Sequence, residues 1–242
     1  MVNNKNISGI LLWITLFSIA MAYLESSVVV YLRAIMYPGG FDFPLVPIEP
    51  RLAVTELFRE AATIIMLLGA GILAGRTKAE KFGWFIYCFG VWDIFYYLFL
   101  KALLNWPDSL FTWDILFLIP VTWVGPVISP VIVAFTMVVF GLLIHRFTNQ
   151  NWSTYINFRE WTMLISGSLV LILAFIWEYS GFILKHYSLR DIWSLPSAEP
   201  LYDLSIQYIP ERFNWPLFWF GEGLILMGIA LFYWRNNNLN KT

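Results

Sequence analysis

The chain has 242 residues, of which 59% are hydrophobic, 19% aromatic and only 13% charged, against about 25% charged in an ordinary soluble domain. With a mean hydropathy of +0.67, it carries more apolar surface than a water-soluble globule of this size can bury, which excludes a soluble enzyme. The net charge of −1 with no basic block gives a nucleic-acid partner no electrostatic footprint, and the single Cys88 excludes a disulfide framework, a cysteine zinc site and an iron–sulfur cluster.

A helix needs about 20 mostly apolar residues to cross the hydrocarbon core. Six stretches meet this: 7–34, 51–75, 82–104, 127–147, 161–184 and 215–234. Lys5 and Ala20-Met21-Ala22 imitate a cleavable signal, but the apolar run continues to Met36, too long for a signal core. It is read as the first membrane helix. The runs are continuous rather than alternating, which argues against a β-barrel. No repeat or linker divides the chain, so 1–242 is read as one transmembrane domain.

The stretch 110–124 is about 15 residues long, short for a span, and stands among Pro107, Pro120, Pro126 and Pro130. It is read as a short re-entrant or interfacial helix, a seventh thin span being the alternative. The expected class is therefore an all-α, polytopic membrane bundle of six helices plus this short one.

Lysine and arginine set the orientation. Lys5, Arg76, Lys78, Lys81, Arg146, Arg159, Arg235 and Lys241 fall on one side of a six-span chain. This places both termini in the cytoplasm and the protein in a plasma (inner) membrane. The Pro- and Gly-rich loops 37–50, 105–109 and 185–214 face outward, and the last is long enough to read as a lid or binding loop.

The carboxylates are unevenly placed. Only Glu80 and Glu160 fall on the inner side. Glu25, Glu56, Glu60, Asp93, Glu178 and Glu222 lie within five spans, roughly 8–16 Å below their outer ends at 1.5 Å per residue, and Asp114 lies on the short segment. A charge deep in a bilayer costs at least ~2.5–3.5 kcal/mol, and facing a shared polar interior lowers that cost. A common depth on separate helices therefore predicts one outward-facing acidic cavity. Arg33, Arg59 and Lys101 are the cations at hand. Arg33 is two turns beyond Glu25, Lys101 is two turns beyond Asp93, and Arg59 can fork to a carboxylate of a neighbouring helix. Seven acids against three cations leave a surplus that needs a proton, a metal, a cationic ligand or water. Glu56, Glu60 and Asp93 are the expected metal ligands, and oxygen ligands favour Mg²⁺, Ca²⁺ or Mn²⁺. Trp92-Asp93 and Trp113-Asp114 set an indole beside an acid, as in a box for an organic cation or an interfacial aromatic belt. Gly71–Gly75 and Gly221-Glu222-Gly223 read as close helix contacts.

The two histidines, His145 and His186, lie at helix ends, which excludes bis-His haem. No zincin, serine-hydrolase or P-loop motif occurs. Three functions from different classes fit: a protein that binds or transports a metal ion or small organic cation; an accessory subunit of a larger membrane complex with a purely structural polar network; and a carboxylate- or metal-dependent enzyme acting on a lipid-type substrate. The expected partners are the lipid bilayer and other membrane subunits. A subunit of the second kind would have no solvent-connected cavity.

Overall fold

Six long helices carry the chain in a computed structural model that describes residues 4–46, 49–119, 121–151, 153–185, 188 and 207–239. They are α1 (Asn4–Met36), α2 (Pro50–Ala74), α3 (Lys78–Leu104), α4 (Ile128–Gln150), α5 (Phe158–Leu184) and α6 (Trp215–Leu239). Each is long and apolar enough to cross a membrane, and the chain is an all-α polytopic membrane protein. His186 and residues 189–206, most of the expected lid loop, lie outside the described residues.

Local chemistry marks the helix ends. Pro50 occupies the first turn of α2, where its missing N–H costs nothing. The Thr77 hydroxyl accepts the Glu80 N–H at the start of α3. Asn157 and Glu160 form a reciprocal capping box at the start of α5, which satisfies two otherwise orphaned donors. Glu80 is further held by Arg76 at 3.1 Å and Glu160 by Arg235 at 2.8 Å. The two acids set apart from the others in the sequence are thus helix caps.

Helix α3 is the hub. It packs against α1, α2 and α4, while α5 pairs with α6 and α4 links the two groups. One apolar cluster joins Met21, Leu67, Trp84 and Val91 across α1–α3, and another joins Ile86, Ile144, Leu164 and Phe232 across α3–α6. Glycines permit the closest approaches. A Cβ on Gly71 would fall 2.7 Å from the Phe85 nitrogen, and one on Gly90 would fall 2.4 Å from the Ala134 carbonyl oxygen. Gly221 similarly faces Gly167, as close-contact packing requires, whereas Gly223 has open space around it. Backbone atoms cannot yield as side chains do, so Gly90→Ala should cost about 1–3 kcal/mol by overpacking. Gly69→Ala, which meets nothing within 4 Å, should be neutral or slightly stabilising. Thermal unfolding of the two variants in detergent checks this pair.

The short helix expected near 110–124 is corrected. The segment forms an antiparallel hairpin of β1 (Trp113–Phe117) and β2 (Trp123–Pro126), with Asp114 opposite Gly125 and Ile115 opposite Val124. Aromatic and β-branched residues make up three of five positions in β1 and two of four in β2 and fit a pleated strand, and the prolines break any helical register. The hairpin lies at the helix ends that carry Met36 and Leu104. The Leu118 N–H, at its tip, donates to Glu60 Oε2 at 2.9 Å. Glu60 lies about 15 Å along α2 from Pro50 at 1.5 Å per residue, so the hairpin tip reaches well past the start of that helix. Irregular backbone packed among apolar helices needs protein partners for its polar groups. The strand pairing and Glu60 supply them.

Candidate functional site

Three helices and the hairpin, with Tyr37, Phe41 and Pro130 at the margin, line an open cavity of about 170 Å³. Helical spacing decides which side chains reach it. Glu25, Val29, Leu32, Arg33 and Met36 form one stripe of α1, and Glu56, Arg59, Glu60, Thr63 and Ile64 one stripe of α2, at the three- and four-residue intervals that share a helix face. Trp92, Asp93, Tyr96 and Tyr97 come from α3, and β1 contributes Asp114 and the apolar residues after it. The acids therefore sit among a predominantly apolar wall.

Two ionic groups organise the walls. Arg59 forks onto Glu56, Nε to Oε2 at 2.8 Å and Nη2 to Oε1 at 2.6 Å. Its Nη1 donates to Glu25 of α1, whose other oxygen accepts from the Thr63 hydroxyl at 3.2 Å. The fork expected toward a neighbouring helix closes instead on Glu56 of the same helix, and Glu25 receives the single bond. Since α1 and α2 pack mainly on α3, this triad is a principal tie between them.

The second group fastens the hairpin. Arg33 pairs with Asp114 at 3.2 Å, and the Tyr97 hydroxyl donates to the other Asp114 oxygen at 3.2 Å. The Arg33 guanidinium also lies 4.3 Å from the Phe41 ring centroid and 3.7 Å from that of Trp106, within cation–π range. Burial pushes the Asp114 carboxyl up to about 6 from an ordinary 3.8, against the pull of Arg33 and the Tyr97 hydrogen bond. A raised acid binds its proton more tightly in the folded state. Its contribution is therefore full below pH ~4 and is lost as pH rises through about 6. Comparing wild type with Asp114→Asn should show the wild type losing on the order of 2–3 kcal/mol relative to the variant between pH 4 and 7. Unfolding midpoints across that range are the check, and a pH-independent difference would refute it.

Of the expected site residues, Glu25, Glu56, Glu60 and Asp93 share the cavity with Arg33 and Arg59. The others do not. Glu178 accepts the Glu211 and Arg212 N–H groups at 2.7 and 2.9 Å and so pins the chain that leads into α6. Glu222 is 1% exposed and accepts the Thr136 hydroxyl at 2.5 Å across the α4–α6 contact. The expected pairing of Lys101 with Asp93 is corrected. Its ammonium donates instead to the Asn105 and Pro107 carbonyls, at 3.1 and 3.0 Å, in the segment that follows α3. Arg33 likewise meets Asp114 rather than Glu25.

The expected metal centre at Glu56, Glu60 and Asp93 is corrected too. Among the described residues, no three His, Cys, Asp or Glu side chains are grouped to hold a metal ion. Arg59 occupies both oxygens of Glu56, and one oxygen of Glu60 faces the hairpin. The sequence reading missed Phe41, Trp106 and the hairpin tip. They come from connecting segments whose approach to the cavity no periodic pattern announces.

Neither family comparison nor searches against curated proteins and solved structures find a match for this chain.

Proposed function

We propose that this integral membrane protein binds a small organic cation in the cavity between α1, α2, α3 and the hairpin. The observation that carries the reading is the charge balance of the lining. Five carboxylates meet two guanidinium groups. Both guanidiniums are engaged, Arg59 with Glu25 and Glu56, and Arg33 with Asp114. Glu60 and Asp93 have no cation among the described residues, and Asp93 has no hydrogen-bond donor there either. Like charges in a low-dielectric space raise each other's energy, so a positive occupant is favoured.

An organic cation fits better than a metal. Hard divalent ions demand several converging oxygens, which these acids do not provide. Trp92 and Tyr96 line the same space as Asp93, and aromatic faces attract ammonium groups. The volume lies below the ~300 Å³ lower end of drug-sized pockets, which favours a small occupant. An open cavity with carboxylates in its wall speaks against a purely structural subunit. The cation-rich 76–81 linker supports an orientation with that linker in the cytoplasm and the cavity facing outward, where it serves uptake or sensing.

Titration of the purified protein with tetramethylammonium, followed by calorimetry, tests the proposal. Saturable binding at one site is expected. Absence of any heat beyond dilution, with the protein shown to be folded, would leave the charge network a structural role alone.

A further inference from the structure

The cavity wall is graded along the helix axes. Glu60 and Asp93 line it at about 15 and 17 Å from the hairpin-side ends of α2 and α3, counted at 1.5 Å per residue. Nearer the rim, α1 presents Val29, Leu32 and Met36, about 10, 6 and 0 Å from its own end, and β1 presents Ile115 and Phe117. All five line the cavity and keep partial exposure, so their apolar surface is open to an occupant. The charged groups of this outer stretch are turned to each other. Arg33 and Asp114 form a pair whose side chains are 9% and 3% exposed, and the Tyr97 hydroxyl donates to the same carboxylate. An occupant therefore meets uncommitted acids at the deep end and hydrocarbon on the way out, with the Tyr37 and Phe41 rings at the margin. A polar substituent in that outer stretch exchanges water for hydrocarbon and loses by it, whereas an apolar one gains from leaving water.

We propose that the organic cation bound here carries one apolar arm, as in an alkyl- or arylalkylammonium, its ammonium at Glu60 and Asp93 and its arm running outward past Leu32 and Met36. This rests on the cation-binding reading above and narrows it to a chemical class. The two ends of the ligand match the two ends of the cavity, so the ammonium enters first and the arm fills the path behind it. No bond is made or broken.

The test is calorimetry on the full-length purified protein with three probes that share one headgroup: tetramethylammonium, butyltrimethylammonium, and 2-methoxyethyltrimethylammonium, in which an ether oxygen replaces one methylene of the butyl arm. The butyl probe has three more methylenes than tetramethylammonium, and each contributes about fourfold when fully buried. It is expected to bind about 10- to 60-fold more tightly than tetramethylammonium and about tenfold more tightly than the ether. Leu32→Ala shortens the apolar wall and should lower the butyl to tetramethylammonium ratio severalfold. Ile35→Ala, at a side chain that is 76% exposed and outside the cavity lining, should leave the ratio unchanged. Equal affinities of the butyl and tetramethylammonium probes overturn the inference and leave the cation site standing. An ether that matches the butyl probe overturns it as well, as does a ratio undiminished in a folded Leu32→Ala protein. Should Leu32→Ala fail to fold, Met36→Ala at the end of α1 makes the same comparison. Failure of all three probes to bind a folded wild type overturns both this inference and the reading beneath it.

Discussion

Arg59→Ala should destabilise the protein by about 3–5 kcal/mol, the cost of stripping the partner from buried charges. Arg59 satisfies both oxygens of Glu56 and one of Glu25, and all three side chains are largely screened from solvent. Without it, two carboxylates from different helices face each other across the α1–α2 gap with only Thr63 as a donor to Glu25. Arg59→Lys should fall between, since an ammonium restores the charge but cannot reproduce the bidentate fork. Pairing Arg59→Ala with Glu25→Gln and Glu56→Gln should recover part of the loss, because the repulsion disappears with the charges. Denaturant titration in detergent measures each step. A loss below ~1 kcal/mol for Arg59→Ala would show that the triad behaves as an exposed surface pair.

Removing the two uncommitted acids should act with the opposite sign on stability and a large effect on binding. Glu60→Gln with Asp93→Asn keeps both shapes and deletes two carboxyl groups that no guanidinium pairs with. The Gln carbonyl can still accept the Leu118 N–H that Glu60 accepts at 2.9 Å. The double variant should therefore fold with equal or greater stability, the usual trade where a site holds uncompensated charge for function. Its affinity for an organic cation should fall on the order of a hundredfold or more, as when one side of a buried charge pair is removed. Thermal unfolding and calorimetry on the same preparation separate the two effects. A variant that lost stability and kept its affinity would reverse the roles assigned to the two acids.

Much of this was written locally. The membrane helices announce themselves because 20 or more apolar residues in a row admit few other fates. Of the six acids at a shared depth, Glu25, Glu56, Glu60 and Asp93 line one space, and Glu178 and Glu222 do not. Depth along a helix does not fix its direction around the axis or the neighbours of that helix, however. Glu222 has the expected depth, but α6 packs on α5 and α4, and its carboxylate meets Thr136 instead of the cavity. The hairpin escaped notice because Trp113 and Pro126, its outermost pair, are joined by tertiary pairing rather than by a periodic pattern, and the run between the prolines reads as apolar in either conformation. That one element accounts for the correction at Arg33, since it brings in Asp114. Lys101 went astray for another reason: spacing along one helix suggested Asp93, while the carbonyls of Asn105 and Pro107, in the turn just after the helix, are the groups it meets.

The central claim is that Glu60 and Asp93 await a cation, and it is tested most directly by titrating tetramethylammonium into wild type and the Glu60→Gln, Asp93→Asn double variant side by side at pH 7.5. The account predicts saturable one-site binding to the wild type and at least a hundredfold weaker binding to a variant of equal or greater stability. Equal affinity in both proteins, or no binding to a folded wild type, would contradict it.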